Sequence, residues 1–149
     1  MSLSREVKTS LRVRYAETDA QQVAYHANYI VWFEVARGDY LRAIGLDYNA
    51  MEASGAFVVV AELQAKYLAP VRYDDELTIV SRIAELRSRS FRFAYRVYKG
   101  DRLVTEGWTA HVVVNREGRP ISIPPELRER LEAEDGERWQ GDALVSPQA

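Results

Sequence analysis

The chemistry available to this chain gathers around one acid. Asp19 lies in the stretch Thr18-Asp19-Ala20-Gln21-Gln22-Val23-Ala24-Tyr25-His26, seven residues ahead of the first turn of an apolar helical pattern. A carboxylate facing a helix N-terminus combines two tools. The acid can attack an acyl carbon or take a proton from water. The unpaired N–H groups of the first helical turn can polarise a carbonyl and hold an oxyanion. Aspartate is also a common turn former, so the residue type alone does not separate a reactive acid from a structural one.

Other polar side chains fall into four groups. His26, one of two histidines, sits in the expected first turn, flanked by Tyr25 and Asn28. Asn28 has the donors to hold a carbonyl or a water, or simply to support the turn. The second histidine, His111, follows an alternating strand pattern beside Val112 and reads as a packed, hydrogen-bonded core group. Glu34 and Arg37 are three residues apart on the helix, a spacing at which they can pair. The run Arg87-Ser88-Arg89-Ser90 joins two strand patterns and concentrates guanidinium groups, which grip phosphate bidentately.

The elements that must position these groups follow from periodicity. Residues 10–16 alternate, with Leu11, Val13 and Tyr15 opposite Arg12 and Arg14, as a half-buried strand does. Residues 26–44 carry Tyr29, Phe33, Ala36, Tyr40 and Ile44 at steps of three and four, and Gly45 supplies the stop. Ile30, Trp32, Val35 and Leu41 widen the apolar surface, so a sheet is expected to wrap this helix. Residues 47–55 form a loop or short helix. Extended segments follow at 57–69, 76–87, 90–99 and 102–115. In the first, Val59, Ala61, Leu63, Ala65 and Tyr67 share a face. In the third, Phe91, Phe93, Tyr95 and Val97 do. In the last, Val104, Trp108, Val112 and Val114 do. Gly100-Asp101 marks a hairpin. Pro124-Pro125-Glu126 opens a charged helix to about residue 134, and residues 135–149 read as a polar tail after a single domain spanning 1–134.

Composition narrows the class. The chain has 149 residues, 47% of them hydrophobic and 28% charged, with a net charge of −2 and no cysteine. That is one domain's worth of core. The charge gives no general attraction for nucleic acid. Without cysteine there is no disulfide, thiolate nucleophile or cysteine-held metal. No apolar run approaches the ~18 residues of a membrane span. The expectation is a soluble, cytoplasmic protein with no membrane insertion. No Gly-x-Ser-x-Gly elbow, P-loop or dinucleotide fingerprint occurs.

The stretch around Asp19 resembles the acidic-loop signature of the 4-hydroxybenzoyl-CoA thioesterase family. Thr18-Asp19, Val23, Tyr25, His26, Asn28 and Tyr29 match its order and spacing, as do Trp32 to Arg37 and Gly45-Leu46. The resemblance implies an α+β hotdog fold, in which an antiparallel five-stranded sheet wraps one long central helix. It implies an acyl-CoA thioesterase with no metal or redox cofactor, coenzyme A being part of the substrate. Asp19 would be the catalytic carboxylate, as nucleophile or general base, and the His26 amide would polarise the carbonyl. Tyr25 and Asn28 would border the reaction. Arg87, Ser88, Arg89 and Ser90, with Lys66 and Tyr67, would hold coenzyme A. An acyl-carrier-protein thioester in place of the coenzyme A thioester is left open. Relatives place active sites between protomers, so a homodimer or homotetramer is implied. Gln22 departs from the pattern, which has glycine there. Two other readings remain at this point: a hotdog hydratase or dehydratase, and a non-catalytic acyl-thioester or acyl-carrier-protein binding module.

Overall fold

The structure, a computed structural model, describes residues 5–135. Of the expected tail, 135–149, Asp135 is instead the last residue of a helix, and residues 136–149 lie outside the described residues.

The chain runs β1 (Val7–Arg12), a 3-10 turn (Tyr15–Glu17), α1 (Asn28–Ala43), α2 (Tyr48–Ala53), β2 (Phe57–Tyr67), β3 (Glu76–Leu86), β4 (Ser90–Lys99), β5 (Arg102–Val114), β6 (Pro120–Ile121) and α3 (Pro125–Asp135). All strand pairs are antiparallel, in the order β1-β3-β4-β5-β2, with β6 added to the end of β5. The sheet therefore has six strands, one more than the sequence pattern marks, because β6 is only two residues long. The sheet wraps α1. Phe33 stacks on Tyr95 with ring centroids 4.3 Å apart, and Tyr40 meets Phe93 edge-on at 5.2 Å. The helix approaches closely because β5 carries Gly107 there: a Cβ would lie 3.1 Å from the Phe33 ring. Gly45, at φ +83°, ends α1 as expected.

Several expectations shift in detail. The first strand is Val7–Arg12 rather than 10–16, since the chain turns at Tyr15 to begin the acidic loop. Helix α1 begins at Asn28, so His26 lies just before it. The pattern in β2 is broken by an irregularity between Val60 and Glu62, which leaves Val59, Val60 and Leu63 all exposed. In β5, Val104 faces the main core, but Trp108 faces the other side of the sheet. There it packs with Ala84 and Ala94 under the Arg92 guanidinium, 4.1 Å from the ring centroid. Glu34 is exposed while Arg37 is buried and donates to Tyr95 Oη at 3.2 Å, so the expected Glu34–Arg37 pair is replaced by a contact with the sheet. Among the described residues, no helix is long and apolar enough to cross a membrane.

Candidate active site

The acidic loop is a tight, cross-braced turn. Asp19 O accepts from Gln22 N (2.8 Å), and Asp19 N donates back to Val23 O (3.0 Å). Thr18 and Ala24 bridge below it, and Ala24 N donates to Val71 O at 2.8 Å. Gln22 takes φ +65°, the left-handed backbone that favours glycine. The loop thus keeps the glycine-type path despite the departure in sequence. Arg72 Nη1 holds the strained residue by donating to Gln22 O at 3.2 Å.

Glu17 locks this loop to α1. Its main-chain carbonyl accepts from Tyr25 N (2.8 Å) and Asn28 Nδ2 (2.9 Å). Its carboxylate, 5% exposed, accepts from Trp32 Nε1 at 3.0 Å and from Arg14 N at 2.7 Å, with the Arg14 guanidinium at 3.3 Å. Burial by itself would raise the Glu17 carboxyl. The Arg14 amide, the Trp32 indole and the Arg14 charge together outweigh it and hold the group below the ordinary carboxylate value. Glu17, Trp32 and Arg72 brace the acidic loop, and the sequence reading missed them. Nothing in the local pattern marks a glutamate as buried or an arginine as a loop clamp.

Asp19 uses Oδ1 to accept from Gln21 N at 2.9 Å, and among the described residues no group donates to Oδ2. The carboxylate borders a cavity of about 350 Å³ with His26, Tyr29, Tyr67 and the apolar wall Val23, Leu68 and Pro70. A second, more polar cleft of about 280 Å³ lies on the other side of Asp19, against Tyr15, Gln22 and Arg72. Beyond the loop, Asn28 N donates to Tyr25 O and Tyr29 N to His26 O. The amides of His26 and Ala27 meet no acceptor among the described residues. Both precede helix α1 at Asn28, and one belongs to His26, which lines the cavity with the acid, so two N–H groups stand unspent at the helix start.

The other expected site residues divide. Tyr67 lines the Asp19 cavity and donates to His26 O at 2.9 Å. The His26 ring lies 4.5 Å from Tyr25 and 6.3 Å from Tyr67, centroid to centroid. Asn28 spends its side chain on Glu17, and exposed Tyr25 does not line the cavity. Lys66 is exposed on β2, opposite Glu106. The Arg87–Ser90 turn is not brought to Asp19 within one chain. Tyr67 pairs with Thr105, whereas Ser90 pairs with Val112, so the two positions stand about 23 Å apart along β5. Arg87 is paired with Glu85 at 2.8 Å, and Arg89 is exposed. His111 is the packed histidine expected, bonded through Nε2 to Thr109 Oγ1 at 2.7 Å.

Residues 13–131 match the thioesterase-like superfamily. The chain belongs to that family. It is 39% identical over 120 residues to a putative esterase of Aquifex aeolicus, covering 80% of this chain and 93% of the relative. It is 36% identical to the acyl-CoA thioester hydrolase YbgC of Escherichia coli, over 77% of this chain and 84% of that one. The crystal structure of a DHNA-CoA thioesterase from Staphylococcus aureus superposes with a TM-score of 0.83 at 28% identity, covering 86% of this chain and 89% of that one. The thioesterase-like architecture is the hotdog fold, with the acidic loop at the N-terminus of its central helix.

Proposed function

We propose that this thioesterase cleaves acyl-CoA thioesters with water, yielding a carboxylic acid and free coenzyme A. The observation that carries the reading is the free Oδ2 edge of Asp19, in one cavity with His26 and beside two unspent amides. The acyl chain occupies the apolar side of the cavity, against Val23, Leu68 and Pro70. The thioester oxygen lies toward the amides at 26–27, which stabilise the negative charge it gains.

Two routes use the same atoms. Asp19 can attack the acyl carbon, forming a mixed anhydride and expelling the thiolate; water then hydrolyses the anhydride. Alternatively Asp19 takes a proton from water as the hydroxide attacks, the tetrahedral adduct expels the thiolate, and the thiolate takes that proton. Water reaches the acid from the polar cleft beside Arg72. Hydration of an enoyl thioester would need an acid–histidine pair. The His26 ring is held between tyrosines and has no carboxylate partner among the described residues, which favours hydrolysis.

The working unit in this reading is at least a homodimer joined along β2. That strand is a sheet edge with Val59, Val60 and Leu63 exposed, an edge suited to pairing with another strand. Antiparallel pairing of two β2 edges sets the N-terminal end of one beside the C-terminal end of the other. The partner's Arg87–Ser90 turn then stands at the Asp19 end, where Arg89 grips the phosphates of coenzyme A. Catalysis is tested by thiol release across a panel of acyl-CoA and acyl-carrier-protein thioesters. Asp19→Asn is expected to lower kcat by at least about a hundredfold while the chain stays folded. Mixing it with Arg89→Ala, which alone needs more substrate, restores activity by assembling one intact composite site. Wild-type turnover by a folded Asp19→Asn chain rejects the acid's role, and mixing without recovery rejects the shared site.

A further inference from the structure

We infer that Tyr67 is a positioning residue for the carbonyl-polarising turn, acting through the main-chain oxygen of His26. The inference rests on the hydrolytic reading above and adds the residue that holds its amides in place.

The turn lacks the usual means of being held. Ala27, at the helix N-cap, has no oxygen side chain to fold back on the first amides. The His26 carbonyl accepts two bonds. One comes from Tyr29 N, long at 3.3 Å; the other is from Tyr67 Oη at 2.9 Å. The Tyr67 bond crosses from the sheet to the helix start, joining residues 41 positions apart in the chain. Its anchor is rigid: Tyr67 is the last residue of β2 and is paired with Thr105 on β5. Its ring is packed between Tyr29, 5.1 Å away, and His26, 6.3 Å away.

Peptide geometry turns this tether into control of the amides. The His26 C=O and the Ala27 N–H share one planar unit. Fixing the oxygen fixes the direction of that N–H, and fixes the backbone torsion that relates it to the His26 N–H. A donor on the carbonyl also strengthens the N–H of the same peptide as a donor. Tyr67 therefore sets both the aim and the strength of groups that must meet an oxyanion within a few tenths of an ångström.

The test is Tyr67→Phe, which keeps the ring and removes one hydroxyl. With acyl-CoA substrates the expected result is a kcat about fivefold lower at unchanged KM, while the melting temperature falls by at most a few degrees, the cost of one hydrogen bond. A merely structural residue would lower the melting temperature and leave kcat unchanged where both proteins are folded, and a substrate-binding hydroxyl would raise KM. The second readout needs no turnover. A thioester labelled with 13C at the carbonyl is bound to Asp19→Asn and its stretching band is recorded by infrared difference spectroscopy. The band is expected below that of the free ester and moves back toward it when Tyr67→Phe is added. An unchanged kcat, or a band that does not move, overturns the inference. If the wild type releases no thiol from any ester, the hydrolytic reading fails separately, and the band alone decides the role of Tyr67.

Discussion

A buried histidine gives this fold a calculable weakness to acid. His111 is 1% exposed on β5. Its Nε2 shares a hydrogen bond with Thr109 Oγ1, that hydroxyl with Tyr95 Oη, and Tyr95 Oη accepts from the buried Arg37 guanidinium. Burial, followed by the charge of Arg37, pushes the imidazole down from 6.5 to about 3. The unfolded chain takes up a proton as pH falls through 6.5, while the folded chain takes none until near 3. Stability from this residue is therefore complete above 6.5 and is lost as pH falls below it. A pH of 5 lies about 1.5 below the unfolded histidine's 6.5, which at about 1.4 kcal/mol per pH unit is a loss of about 2 kcal/mol. That figure depends only on the folded value staying under 5. The perturbation is His111→Gln, which cannot titrate and still offers Thr109 a partner. Urea unfolding of both proteins at pH 7 and pH 5, at one protein concentration, isolates the effect, since all other titrations cancel in the difference. The wild type is expected to lose about 2 kcal/mol more than the variant between the two pH values. Equal losses would refute the argument and mean that the folded imidazole accepts its proton readily.

Glu17→Gln is expected to cost about 1–2 kcal/mol at pH 7 by weakening charge-assisted bonds. Because the folded carboxyl is held low, its contribution is present above the ordinary carboxylate value and lost as pH falls below it. The variant should therefore show a flatter decline than wild type between about pH 5 and pH 3, with kcat reduced as the loop loosens. Parallel declines would remove Glu17 from the account. Gln22→Gly relieves a left-handed backbone and is expected to raise stability by about 1 kcal/mol, while Gln22→Val lowers it; a reversed order of denaturation midpoints would show that the side chain, not φ, decides this position.

The parts legible in the sequence are those where one side-chain period maps onto one packed face. Phe91, Phe93, Tyr95 and Val97 alternate without interruption, and β4 is the strand they describe. The turns of α1 were equally readable through Phe33, Tyr40 and the Gly45 stop. Period-two counting groups Val104 with Trp108, Val112 and Val114 because it assumes an unbroken ladder, whereas β5 slips in register against β4 between Val97 and Tyr98 and Val104 turns to the core. The periodic pattern puts the helix start two residues early because Tyr25-His26-Ala27 contains no capping side chain to fix a boundary. Asp19 stood out because its neighbours repeat a known spacing. Glu17 and Tyr67 act through long-range partners, Trp32 and the His26 carbonyl. Those contacts exist only once the sheet has closed on the helix.

The two edges of the sheet are defended unequally. Along β1 the exposed positions are Lys8, Ser10 and Arg12, charged or polar groups that repel an incoming strand. Along β2 the exposed run includes Val59, Val60 and Leu63, with its lysine, Lys66, one residue from the end. An edge of that kind, rich in β-branched residues and charged only at Glu62 and Lys66, is a template for aggregation whenever it is left open. If two β2 edges pair as proposed above, nascent chains are most at risk of precipitating before that pairing forms. Substitutions that weaken closure of this edge would first appear as insoluble protein on expression, ahead of any measurable change in turnover.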